Sequence, residues 1–194
     1  MDTQDLTHTS GTDNTPGIQQ KIFYTTLENI VTLPKPTEDD SAASTGTFAD
    51  LVTITADIVV KKPLSSIYVT LEDGELKHSG QGETDSMSFK NELEFAHPGT
   101  KPEQLGFAQW CKNSNLIFLV PEVDGQIRVL GTRGYPAKLA TAPGSTGKKS
   151  TDGRKTTFTF HSSRKGPAPV FTGKVMVAAD GGGDPTEQDL GLED

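Results

Sequence analysis

Cysteine is nearly absent from this chain of 194 residues. Cys111 stands alone, so neither an internal disulfide nor a cysteine-based zinc site can be built. Long apolar runs are missing too: nowhere does an uninterrupted stretch approach the roughly 18 residues a membrane helix requires. Residues 1–20, MDTQDLTHTSGTDNTPGIQQ, lack the basic start and apolar centre of a secretory signal. A membrane span and classical export are therefore not expected, and a lone thiol suits the cytoplasm. Apolar residues make up only 32% of the chain, which suits one domain with tails and leaves little for a second core. Tyrosine and tryptophan are scarce, at three and one, which leaves little for an exposed sugar-binding platform. No internal repeat of fixed period is visible, which disfavours propellers and solenoids.

What the chain has in excess is acid, for a net charge of −8. That excess sits at the ends. Residues 1–20 carry Asp2, Asp5 and Asp13, and residues 180–194 carry Asp180, Asp184, Glu187, Asp189, Glu193 and Asp194, with no Lys or Arg in either stretch. All 18 basic residues lie between Lys21 and Lys174, where the balance is close to neutral. The expected organisation is an acidic arm over 1–20, a domain over 21–178 and an acidic Gly-rich tail over 179–194. Both ends are too poor in apolar residues to offset the entropy of ordering, so they are expected to be mobile or to order on a partner.

Within 21–178 the apolar residues recur every second position, as half-buried strands require. Val52, Ile54, Ala56, Ile58 and Val60 predict one strand over 51–60. Ile67, Val69 and Leu71, followed by Asp73-Gly74, predict a hairpin over 64–79. Further strands are expected over 86–95, 126–131, 156–161 and 170–177, while Leu116 to Val120, apolar on both faces, reads as a central strand. Ile22 to Leu33 is ambiguous between strand and helix. One helix is expected from Thr100-Lys-Pro-Glu103, a capping-box spacing with Pro in the first turn, followed by an apolar stripe of Phe107, Trp110 and Cys111. Pro34 to Thr47 and Pro136 to Asp152 read as long polar loops. The fold class is mainly β: two packed antiparallel sheets, as a sandwich or partly closed barrel, with one flanking helix.

Catalytic and metal chemistry find no footing. His8, His78, His97 and His161 are scattered without ligand spacing, so no metal and no cofactor is expected. The segment Gly144-Ser-Thr-Gly147-Lys148-Lys149 resembles a phosphate loop but has Ala142 where its first Gly belongs and runs towards a strand. No Gly-x-Ser-x-Gly elbow exists, and Cys111 reads as a structural residue. Asp180 to Asp189 matches no calcium-loop pattern and reads as a solvated tail. The remaining anomaly is basic: Lys148, Lys149, Arg154, Lys155, Arg164 and Lys165 lie within a stretch holding a single acid, Asp152. A solvated loop pair explains such a run. The sharper reading is a subunit or ring contact against an acidic surface of another copy.

Three stretches carry a family resemblance: Phe89 to Phe95 leading into Pro98-Gly99; Phe107 to Asn113 with Leu116 to Val120 and Asp124 to Gly131; and Gly147 to Gly173. Together they span roughly residues 64–177, and their order and pattern resemble bacteriophage tail-tube proteins of the kind found in phages of Bacteroidetes hosts. That resemblance implies a non-enzymatic virion protein made in the host cytoplasm. It implies homo-hexameric rings that stack into a conduit for DNA, with a tape-measure protein and other tail proteins as partners and no membrane. DNA would pass without sequence-specific contacts, along a lumen face for which Glu72, Glu92 and Glu94 are the candidates, since carboxylates repel phosphates. Another virion component, such as a head-tail connector or decoration protein, and a carbohydrate-binding β-sandwich are the alternatives.

Overall fold

The computed structural model describes residues 3–12, 14–37, 46–149, 151–179 and 183–192. The first strands are β1 (Lys21–Thr26), β2 (Ile30–Thr32), β3 (Thr53–Ile54), β4 (Ile58–Val60), β5 (Ser65–Tyr68), β6 (Gly74–Glu83) and β7 (Ser86–Pro98), and α1 (Pro102–Cys111) follows. After it come β8 (Leu116–Pro121), β9 (Ile127–Leu130), β10 (Lys138–Thr141), β11 (Gly144–Ser145), β12 (Lys155–Arg164), β13 (Val170–Phe171), β14 (Val175–Val177) and β15 (Thr186–Glu187). The class is mainly β, with packed antiparallel and mixed sheets and, among the described residues, one α-helix.

Three sheets stack in layers. The middle one has six strands in the order β3-β13-β9-β8-β1-β5. One face packs on the five-stranded sheet β10-β12-β7-β6, which β11 joins beside β12. That layer is filled by Ile22, Leu116, Phe118 and Val120 from one side and Leu93, Phe95, Phe158 and Phe160 from the other. The opposite face, bearing Phe23, Ile117, Leu119 and Val129, packs on Ile30, Ile58, Val60 and Val175 of the four-stranded sheet β15-β14-β4-β2. β8 therefore feeds two cores. Its six residues are all buried, because alternate side chains leave a strand on opposite faces and both faces are covered. The helix follows β7 and seals the first core with Cys111, while Phe107 meets Phe158 and Tyr24 edge-on at 5.3 and 5.4 Å.

Several sequence expectations change in the folded chain. The strand expected over 51–60 is two strands, β3 and β4, interrupted over 55–57, although Ile54, Ile58 and Val60 keep the buried parity. The strand expected over 170–177 breaks in step, into β13 and β14. β13 pairs parallel to β3 and β14 parallel to β4 with the register unchanged across the break. The two chains thus pass together from the middle sheet to the four-stranded one. A tight crossing holds the bend: the Lys174 amide donates to Asp57 Oδ1 at 2.8 Å, and a Cβ on Gly173 would lie 2.7 Å from the Ala56 carbonyl oxygen.

The hairpin expected over 64–79 does not form. β5 pairs with β1, whereas Glu72, at φ 60°, helps turn the chain into β6 on the other sheet. Alternation reports a buried face and says nothing of which strand lies alongside, which is why the local pattern misled. The actual hairpin joins β6 to β7 through Thr84-Asp85, with Asp85 at φ 65°. Ile22 to Leu33 resolves into β1, a single 3₁₀ turn over Leu27–Asn29, and β2. Pro136 to Asp152 holds β10 and β11, both paired with β12, while the Pro34 to Thr47 stretch lies partly outside the described residues.

At the helix start, Lys101 is the N-cap and its amide donates to Gln104 Oε1 at 2.9 Å. The expected cap, Thr100, is engaged by the Arg154 guanidinium. Trp110, expected on the buried stripe, is 47% exposed beside Tyr24 and Phe107. Residues 183–192 are docked rather than detached. Thr186–Glu187 pairs with β14, Gln188 exchanges two hydrogen bonds with the Leu64 backbone, and Leu190 and Leu192 pack on the second core. Two leucines and a side-chain amide supply the burial that the composition of the tail as a whole did not promise. Asp2, Asp13, Asp180, Glu193 and Asp194 lie outside the described residues.

Candidate functional site

The longest run of exposed strand residues is in β6. This strand borders the five-stranded sheet with β7 on one side and, among the described residues, no strand on the other, and every residue from Lys77 to Glu83 is exposed. Such an edge presents a row of backbone donors and acceptors to any strand laid beside it. Gly80 and Gly82 add no side chain that would hold a second backbone away.

Charges cluster on one face of this hairpin. Register sets Glu75 opposite Glu94 and Lys77 opposite Glu92. Lys77 Nζ lies 2.9 Å from Glu75, 3.2 Å from Glu92 and 3.6 Å from Glu94, while Lys90 Nζ donates to Glu92 at 2.7 Å. The hydrogen bond from Lys90, helped by Lys77, holds the Glu92 carboxyl below its ordinary range against the opposing effect of burial. Hydrogen bonds to Glu75 and Glu92 push the Lys77 ammonium up. Of the expected lumen carboxylates, Glu92 and Glu94 therefore share a face, but a charge-compensated one. Glu72 sits apart, in the turn between β5 and β6.

The six basic residues do not form one patch. Lys155 and Arg164 begin and end β12, about 30 Å apart at strand rise. At the first end Lys155 pairs with Asp73 at 2.6 Å, and Arg154 bonds Thr100. Lys148 and Lys149 sit in a turn whose amides both donate to Asp152 Oδ2, at 2.8 and 2.9 Å. Proximity in sequence separated into two places because an extended strand of ten residues lies between.

Arg164 and Lys165, at the other end, line a cleft of about 680 Å³ at the rim of the second core, from which Leu33, Ile54 and Val129 reach it. The segment after β2 gives it Leu33, Pro34, Lys35 and Pro36; the β6–β7 hairpin gives Gln81, Met87 and Ser88; the turn after β9 gives Gly131 to Tyr135. No Asp or Glu lines it among the described residues, against four basic side chains: Lys35, Arg133, Arg164 and Lys165. Arg133 Nη2 donates to the Val31 carbonyl at 2.6 Å, which fixes the guanidinium without neutralising it. The turn is tight: the Thr132 amide donates to the Tyr135 carbonyl, and the Tyr135 amide donates to Thr132 Oγ1. Gly131 begins this turn at φ 106°, where a Cβ would press on Ile117 at 2.8 Å. The result is an apolar cleft with a basic wall and an exposed tyrosine, within the size range of sites that bind a small molecule or a peptide anchor. Sequence reading missed it, since its walls come from five separate parts of the chain.

The thiol of Cys111 is fully buried, and burial pushes it up to about 11. Among the described residues no three His, Cys, Asp or Glu side chains converge as a metal site would require, and no helix is long and apolar enough to cross a membrane. No protein family, curated protein or solved structure matches the chain.

Proposed function

We propose that this chain is a structural subunit that assembles with copies of itself into stacked rings, the wall of a phage tail tube through which DNA passes. The observation that carries the reading is the open edge of β6, seven consecutive exposed residues on a strand with no neighbour on its outer side among the described residues. Left bare, such an edge invites uncontrolled pairing; used between subunits, it becomes the seam of an assembly. The β6–β7 face adds support. Its three glutamates are interleaved with two lysines, a mixed surface over which a phosphate backbone is neither gripped nor strongly repelled. On this reading the subunit is no enzyme, its rings are homo-hexamers, and tape-measure and other tail proteins are its partners in the virion.

Sedimentation velocity and negative-stain electron microscopy of the purified full chain over a concentration series test it. Rings that stack into tubes are the expected outcome. Rings that never stack overturn the tube and leave a connector-type virion component, and a monomer at every concentration overturns self-assembly altogether.

A further inference from the structure

We propose that residues 186–192 are a detachable cap: they fill, within their own chain, a peptide site beside β14 that selects an acidic Gln-x-Leu-x-Leu segment, and their release exposes an apolar strand edge to a second copy of this chain. β15 ends the four-stranded sheet, so without it β14 would be the end strand there. That edge is Val175-Met176-Val177, apolar throughout, whereas the exposed run of β6 holds no large apolar side chain. A bare β14 would therefore draw copies together by burial as well as by backbone pairing. The seat accepts a strand antiparallel to β14, as β15 is, and the β14 edge of a second copy meets that need about a two-fold axis.

Recognition rests on three side chains. Gln188, Leu190 and Leu192 are partly buried, while Thr186, Glu187, Asp189 and Gly191 are exposed. Gln188 supplies what a neighbouring strand would. Its Oε1 accepts from the Leu64 amide at 2.8 Å, its Nε2 donates to the Leu64 carbonyl at 3.2 Å, and its own amide donates to the Val175 carbonyl at 2.8 Å. Leu190 and Leu192 pack on the second core, with Gly191 at φ 59° between them. Lys174 meets Glu187 at 2.7 Å and Lys21 donates to the Leu190 carbonyl at 3.0 Å, which favours an acidic segment. None of residues 183–192 is fully buried. The hold is thus a handful of separable contacts set against the entropy of ordering the segment, the kind of element that opens while the core stays folded.

Amide exchange followed by NMR on the native full chain tests detachment. The Gln188 amide is expected to exchange at least about tenfold faster than the amides of β8, and to slow once Met176→Cys and Glu187→Cys, which face each other across β14 and β15, are joined by a disulfide. Exchange of Gln188 only in step with β8 overturns the cap. The site and the edge are then read on the full chain carrying Leu190→Asp and Leu192→Asp, with a labelled peptide of residues 185–192 and sedimentation velocity. The expected result is that this variant binds the peptide, self-associates at a concentration at least about tenfold below the native chain, and is returned to native behaviour by excess peptide, while the disulfide-locked protein does none of these. Gln188→Ala, which removes both side-chain bonds to Leu64 and leaves the leucines in place, must shift both readouts in the same direction. Peptide binding without added association overturns the edge, and association that the peptide does not reverse overturns the cap. Rings of the native chain form with the cap seated, so their presence or absence bears on the subunit reading alone.

Discussion

Lys77 and Lys90 compete for the same carboxylate, and the geometry ranks them. Lys90 approaches Glu92 to 2.7 Å and Lys77 to 3.2 Å while also serving Glu75 and Glu94, so Lys90→Met should raise the Glu92 titration midpoint more than Lys77→Met does. Carboxyl carbon NMR titration reads the order directly; the reverse order would mean that the ammonium groups exchange partners in solution. Because the Glu92 carboxyl is held low in the folded chain, its contribution to stability is fully present above the unfolded carboxylate value of about 4.3. It is lost as pH falls through the lower folded value. Glu92→Gln should therefore flatten the acid limb of the unfolding midpoint against pH. The effect is small, since both lysines are well exposed and such pairs are screened. Cys111 offers a sharper residue-level check. A thiol at about 11 with no exposed surface should resist iodoacetamide at neutral pH and react fully in denaturant, as intact-mass measurement would show.

At the scale of elements, the paired break of β3/β4 and β13/β14 is the feature most specific to this chain. Two parallel strands can leave one sheet for another only if both bend at the same level, and the close approach of Gly173 to the Ala56 carbonyl marks that level. Gly173→Ala should cost about 1–3 kcal/mol, as overpacking does, measured as a shift in the urea midpoint. Gly153→Ala is the matched control: nothing lies within 4 Å of its added Cβ, so that change should be neutral or mildly stabilising. Equal effects of the two would remove the bend as a point of tight packing. The same tightness explains why a reading by alternation joined each pair into one strand. Ile54, Ile58 and Val60 keep phase through the bend, so hydropathy carries no trace of it.

For the whole molecule, the layered core and the bare β6 edge set opposite expectations for exchange of backbone amides. β8 is covered on both faces and hydrogen-bonded on both sides, so its amides should exchange slowest at every concentration. Peptides from 74–83 should exchange quickly in dilute protein and become protected once it assembles, read by hydrogen–deuterium exchange mass spectrometry. Protection elsewhere with β6 unchanged would move the subunit seam to another edge. β5 and β2 also end their sheets, but at four and three residues they present far shorter rows of backbone groups.

By itself the sequence determined the class and most of the core faces, with Leu71, Met87 and Trp110 as exposed exceptions. Period-two alternation marked the core faces of β7 and β12, the doubly apolar Leu116 to Val120 predicted a strand covered on both sides, and Pro102 with the following apolar spacing placed α1. These signals are local, because the parity of a strand sets which of its residues share a face. Partners were decided only by the tertiary structure. Whether β5 pairs with β6 or with β1, whether six basic residues form one surface or two, and whether the acidic tail finds a seat depend on contacts between residues far apart in the chain. The cleft is the extreme case: Leu33, Met87, Arg133 and Lys165 have nothing in common along the sequence, and only the stacking of the three sheets brings them around one cleft.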